Sequence, residues 1–270
     1  MPCPSATFTV WTSAWLAGAA APDDVLDALE PWAGAHDVQA ADDRTAAATG
    51  LPAPGDPGTS LTFLLAALRR AAPRSPARLV LPVPGDVRGL PGPGVFSREA
   101  TAAGEGVLFA DGGSGLEGLG LVPAAVADGV LRWTVYPVPD PGPVPEFVAI
   151  SQAERELREQ VRRSASVLTD LGVARHRPGV REEIAASLRA RPATLWPAGM
   201  PAQPLRVLQH ADEVEAILAA ASVDEPGGAL SASAAAARRD ALRPIESAVR
   251  VARRAAVAEA VRVLATSPMV

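Results

Sequence analysis

Val130-Leu131-Arg132-Trp133-Thr134-Val135-Tyr136-Pro137-Val138 alternates between two sets of side chains. Val130, Arg132, Thr134 and Tyr136 fall on one side, and Leu131, Trp133, Val135 and Pro137 on the other. A period of two over nine residues predicts a half-buried strand. Asp128-Gly129 just before it, and Asp111-Gly112-Gly113 further upstream, are turn signals. Between and before those turns, 106–110 and 116–122 also read as strands. Residues 105–138 therefore predict an antiparallel meander.

Working outward, 7–11, 78–83 and 147–150 complete the candidate strands. Helices are predicted at 23–30, 60–72 and 97–103, the first with two acids at its positive end. Beyond residue 150 the pattern becomes helical. Ser151-Gln152-Ala153-Glu154 reads as a capping box. Behind it Leu157, Val161, Ser164, Leu168 and Leu171 form one stripe that stops at Gly172. Further helices are predicted at 180–190 and 212–221, with a proline-rich loop around Trp196 between them. A last helical stretch, 229–265, carries Leu242, Ile245, Val249, Ala252, Ala256, Ala260 and Leu264. Pro244 predicts a kink or restart in it. A restarted helix would match 151–172 in length, and the two are expected to pack antiparallel. The fold class expected is α+β: a mainly antiparallel sheet with helices in the first half, then an all-α second half.

Charge and punctuation change at the same place. Residues 1–150 hold 19 of the 27 prolines and 18 of the 23 glycines, with 8 arginines against 16 acids. Residues 151–270 carry 17 arginines against 14 acids. The net charges are −8 and +3, and a run of five prolines over 137–145 reads as a spacer between them. The expected domains are an acidic, Gly/Pro-rich 1–150 and an Arg-rich helical 151–270.

Composition excludes several chemistries. The chain has no lysine, so Schiff-base catalysis, a P-loop and a protein-kinase site are excluded. It has no asparagine, so it offers no N-glycosylation site. Cys3 is the single cysteine, which excludes an intrachain disulfide and a multi-cysteine zinc site and favours a reducing, cytoplasmic setting. Residues 1–22 carry no charged side chain and end near a small-residue run, Ala17-Gly18-Ala19-Ala20-Ala21. The absence of a basic start argues against a signal peptide and for a strand followed by a helix. No stretch has the length of apolar sequence a membrane span needs. No cofactor or metal is expected.

Two motifs fail on context. Gly113-Ser114-Gly115-Leu116-Glu117-Gly118 matches G-x-G-x-x-G, but Gly120 and Pro123 follow where a helix should open. His36, His176 and His210 have no metal-ligand spacing, although His36-Asp37 and His210 with Asp212 are candidate acid/base pairs. Arginines crowd two helices, at Arg155, Arg158, Arg162 and Arg163 and at Arg238, Arg239, Arg243, Arg250, Arg253 and Arg254. Glu154, Glu156, Glu159, Glu246 and Glu259 interleave with them, so ion-paired helix faces are expected rather than a nucleic-acid surface.

The candidate site is Pro82-Val83-Pro84-Gly85-Asp86-Val87-Arg88-Gly89-Leu90-Pro91-Gly92-Pro93-Gly94, whose only charges are Asp86 and Arg88. One reading is an anion-orienting loop, completed by Asp111 or a histidine. The other is a strap closed by an internal Asp86–Arg88 pair. The function expected is a non-enzymatic interaction or regulatory protein, with a protein partner or a homodimer formed through the C-terminal helices. The alternative is a small-ligand or enzyme site at the 82–94 loop. Trp15 to Trp32, with Asp23-Asp24-Val25-Leu26-Asp27-Ala28-Leu29, and the loop from Pro82 to Phe96 resemble those of uncharacterised proteins of GC-rich actinobacteria. That resemblance implies no activity.

Overall fold

A computed structural model describes residues 3–73, 75–110, 115–141, 148–170, 179–190, 196–222 and 232–266. The turn at Asp111-Gly112-Gly113, most of the 137–145 proline run, Phe147, Leu171, Gly172 and His176 lie outside the described residues. The chain divides into two compact units. The sheet unit comprises Cys3–Phe147, Ala193–Pro201 and Val257–Val270; the helical unit comprises Met1–Pro2, Val148–Pro192 and Ala202–Ala256.

In the sheet unit the elements run α1 (Pro4–Leu16), α2 (Pro22–Leu29), a 3-10 turn (Glu30–Trp32), β1 (Ala35–Ala40), α3 (Asp43–Thr49), α4 (Leu61–Ala71), β2 (Arg78–Val80), α5 (Val95–Ala103), β3 (Gly106–Phe109), β4 (Gly118–Ala127) and β5 (Val130–Val138). The strand order is β1-β5-β4-β3-β2. The meander β3-β4-β5 is antiparallel as its turn signals predict, and β2 joins it antiparallel. Among the described strands only β1 runs parallel to its neighbour, β5. Phe8, Trp11, Trp15, Leu29, Leu64 and Leu68 pack with Val107, Phe109, Leu121, Trp133 and Val135. On the other face Phe96 and Ala100 of α5 pack with Val80, Leu108, Val122, Tyr136 and Val138. The alternation read in 130–138 thus separates two cores.

The strand expected over 7–11 is instead part of α1. Thr-Phe-Thr-Val-Trp favours strand locally, but α1 is buried from Pro4 to Trp15 on every side. A helix satisfies its own backbone bonds, so it can sit wholly inside a core. Three of its hydroxyls are bonded: Thr9 Oγ1 donates to Ser5 O at 2.6 Å, Ser13 Oγ accepts from Ala77 N at 3.0 Å, and Thr7 Oγ1 accepts from Trp32 Nε1 at 3.1 Å. The Glu105 carboxylate accepts the Ser5 amide at the positive start of the helix.

β4 extends past β3, which pairs only as far as Leu121. Among the described residues its outer edge from Val122 onward meets no strand. Pro123 removes a donor there and a register shift lies between Ala125 and Ala127, two devices that blunt an edge against further pairing. Pro137 belongs to β5 rather than to a spacer; β1 ends opposite Val135, so the missing N–H there breaks no β1 bond.

Past residue 147 the elements are α6 (Ile150–Asp170), α7 (Val180–Ala190), α8 (Ala202–Ser222) and α9 (Ala232–Thr266). α6 starts one residue before Ser151, and Gln152 N and Ala153 N bond Ala149 O, so Ser151 is not the cap. The fourth of the expected box residues, Glu154, pairs forward with Arg158. Of the α6 stripe, Leu157 and Ser164 are buried. Ser164 Oγ donates to Ala241 O of α9 at 2.9 Å. α9 runs through Pro244 without a restart. Pro244 is exposed, so the carbonyl it leaves without a helical partner faces water. Ile245, Val249, Ala252, Ala256, Ala260 and Leu264 are buried, as that stripe predicts. No described helix is long and apolar enough to cross a membrane.

Candidate functional site

The loop after β2 is two successive tight turns. Val83 and Asp86 exchange both backbone bonds, at 3.0 and 2.8 Å, around Pro84-Gly85, with Gly85 at φ 86°. Leu90 N then bonds Val87 O at 3.2 Å around Arg88-Gly89, with Gly89 at φ 89°. A positive φ at the third turn position is what glycine permits at no steric cost. The turns put Asp86 and Arg88 on one side. Arg88 Nε donates to Asp86 Oδ1 and Arg88 Nη2 to Asp86 Oδ2, both at 2.8 Å. The two candidate residues therefore face one another in a bidentate pair. Arg88 keeps 46% of its side chain exposed, and Val87 between them is 59% exposed.

The other candidates are placed apart. Adjacent strand residues point to opposite faces, so His36 and Asp37 do not pair. Asp37 Oδ2 accepts from Arg132 Nε at 2.6 Å across the β1–β5 ladder. Gly58 makes room for that carboxylate, because a Cβ there would lie 1.4 Å from Asp37 Oδ1. His36 Nε2 meets Leu29 O at 3.0 Å, and its Nδ1 accepts the indole N–H of Trp133 at 3.2 Å. An indole nitrogen only donates, so Nδ1 is unprotonated and Nε2 carries the hydrogen. Burial holds the His36 imidazole below its usual value, against the opposing pull of the Leu29 carbonyl. His210 Nδ1 lies 3.8 Å from Glu213, one helical turn on, and not beside Asp212.

Asp212 instead meets Arg253, whose side chain is 6% exposed. Arg253 Nη2 lies 2.6 Å from Asp212 Oδ1 and 3.2 Å from Glu215 Oε2, and Nη1 bonds Glu215 Oε1 at 3.2 Å. Burial pushes Glu215 up, but nearby positive charge, foremost the charge and hydrogen bonds of Arg253, outweighs it and holds the carboxyl below its usual value. Sequence reading did not separate Arg253 from the other arginines of its helix. The remaining described arginines of these helices include intrahelical partners: Glu154–Arg158, Glu159–Arg163, Asp240–Arg243 and Glu259–Arg262. Among the described residues no group of three or more His, Cys, Asp or Glu side chains could hold a metal ion. The glycine motif leads from Gly115 directly into strand β4, not into a helix; Gly113 and Ser114 lie outside the described residues.

These features define a two-unit α+β protein: a mixed five-stranded sheet flanked by helices, joined in sequence to an all-helical unit. The chain belongs to the Rv1486c-like protein family, whose N-terminal domain matches residues 5–147 and whose C-terminal domain matches 151–254. It is 41% identical to the uncharacterised protein Rv1486c of Mycobacterium tuberculosis, over 94% of this chain and 96% of that one. It is 35% identical to an uncharacterised protein of Mycobacterium leprae over the same shares. No solved structure matches it.

Proposed function

We propose that this protein is a non-enzymatic interaction or regulatory protein, which engages a protein partner or a second copy of itself through its C-terminal helices. The observation that carries this reading is the exposure of two large aliphatic side chains on helices of the same unit. Val167 on α6 is 44% exposed and Ile217 on α8 is 51% exposed. Arg163, one turn before Val167, is paired along the helix with Glu159, and Arg158 further back with Glu154. Apolar groups surrounded by locally paired charge suit a protein interface, which has an apolar centre and a polar rim. They do not suit nucleic acid, which needs a net basic field. A cytoplasmic working place fits the lone Cys3 thiol.

A second reading, a ligand site at the 82–94 loop, draws on the exposure of Val87 and of half of Arg88. One pair of measurements separates the two. Val167→Glu and Ile217→Glu are expected to weaken self-association or partner capture at least tenfold in sedimentation velocity and pull-down, with the melting temperature within about 2 °C of the parent, as befits surface changes. These point changes are preferred to deleting 229–270, because Val257–Val270 belongs to the sheet unit. A chain that stays monomeric and partnerless, and whose melting temperature rises with a small anion unless Arg88 is replaced by Ala, overturns the proposal.

A further inference from the structure

His36 joins three elements. It is the second residue of β1, it bonds the last residue of α2, Leu29, and it accepts from Trp133 in β5. Trp133 is fully buried and its ring sits 4.8 Å from that of Phe8 in α1. Trp32, in the turn between α2 and β1, is tied to α1 through Thr7. The indole N–H of Trp133 therefore has a fixed direction, and His36 must answer it with a lone pair.

We propose that His36 is an acid-released latch: protonation at Nδ1 sets two N–H donors against each other and frees the 30–38 corner from β5. The step is a proton uptake from solvent and nothing else. Neutral imidazole, with its hydrogen on Nε2, gains a second hydrogen on Nδ1. The hydrogen bond from Trp133 Nε1 is lost, and the two donors, 3.2 Å apart, repel. Trp133 has no room to turn away, because its ring is enclosed between sheet and α1. The imidazolium must swing out instead, since it is only partly buried. Leu29, which is fully buried, loses its carbonyl partner.

The charged groups on the elements around it do not supply this response. α1 carries none. α2 carries Asp23, Asp24 and Asp27, and the 3-10 turn Glu30. β1 and β5 carry the Asp37–Arg132 pair on the opposite face. The β4–β5 turn carries Asp128, α3 Asp43 and Arg44, and α4 Arg69 and Arg70. Imidazole is the side-chain type that ordinarily changes charge between pH 7.5 and 5.

The test is hydrogen exchange of the full chain at pH 7.5 and 5, corrected for intrinsic rates, with NMR titration of the His36 ring. The parent is expected to lose at least tenfold protection over 30–38 and 130–135 at the lower pH. His36→Asn offers Trp133 an acceptor that does not titrate, and it is expected to keep its protection at both values. Trp133→Phe removes the opposing donor; its His36 is expected to titrate closer to an ordinary imidazole and its exchange to depend less on pH. Equal acid sensitivity in parent and His36→Asn overturns the proposal, as does a parent with no change at pH 5. Should His36→Asn not fold, an unshifted His36 titration in Trp133→Phe overturns it alone.

Discussion

Arg253→Ala is expected to lower stability by about 3 kcal/mol, measured by chemical denaturation at neutral pH. The change removes the cation between two carboxylates of α8, and its own side chain is 6% exposed. Glu215, 17% exposed, then loses the two-pronged cation that offsets its burial. The figure sits at the low end of the range for such breaks because Asp212 is 41% exposed and regains water. The loss depends on pH in a defined direction. The Glu215 carboxyl is held below its unfolded value, with Arg253 the largest of the positive groups that overcome the opposing effect of burial. Its contribution is thus present above the unfolded value and lost as pH falls through the folded one. The gap between parent and variant should be widest at neutral pH and narrow below about pH 4. A variant as stable as the parent at pH 7, or a gap that grows on acidification, contradicts this account of the α8–α9 contact.

Gly120→Ala is the second large effect, expected at about 2–3 kcal/mol from overpacking. A Cβ at Gly120 would lie 2.4, 2.6 and 2.8 Å from three atoms of the Phe96 ring. The ring lies against the backbone of β4 and meets Tyr136 edge-on at 6.1 Å. Phe96 is 3% exposed, so it cannot move outward without shifting α5. Phe96→Ala alone should cost about 3 kcal/mol or more, as large aromatic truncations do. The double variant is the informative one. With the ring gone, the Gly120→Ala methyl fills part of the space, so the double change should cost clearly less than the two singles together. Additive costs would show that α5 is held against the sheet by something other than this ring-on-glycine contact.

How much was legible depends on how far away each residue's partner lies. The strand 130–138 was legible because its period of two is a local property, and the structure returns it as Val130–Val138. The buried stripe of α9 was legible for the same reason. α1 was misread, because threonine, phenylalanine, valine and tryptophan all favour a strand when surroundings are ignored. Only its enclosure on every side makes a helix the better solution. β1 went unread, since Ala-His-Asp-Val-Gln-Ala has few strand-forming residues. Its strand state comes from pairing with β5, some 95 residues on, and from the bridge between Val38 and Thr59. In the candidate site, the sequence showed that Asp86 and Arg88 are close. The direction they face is set by the turns at Gly85 and Gly89, which aim them at each other. Arg253 looked no different from Arg250 or Arg254, because what distinguishes it is which face of α9 meets α8.

The sequence by itself determined the chemistries that are absent, through its lack of lysine and its single cysteine. It also determined the antiparallel meander and the change from a proline- and glycine-rich half to a helical one. Those follow from composition and from contacts between residues a few positions apart. The tertiary structure alone decided that α1 is a core helix and that β1 is parallel to β5. It also decided that Val257–Val270, at the far end of the chain, belongs with the sheet unit. Each of these rests on groups far apart in sequence, as with Ser5 and Glu105 or His36 and Trp133. Such pairings become favourable only once the intervening chain has folded to bring them together.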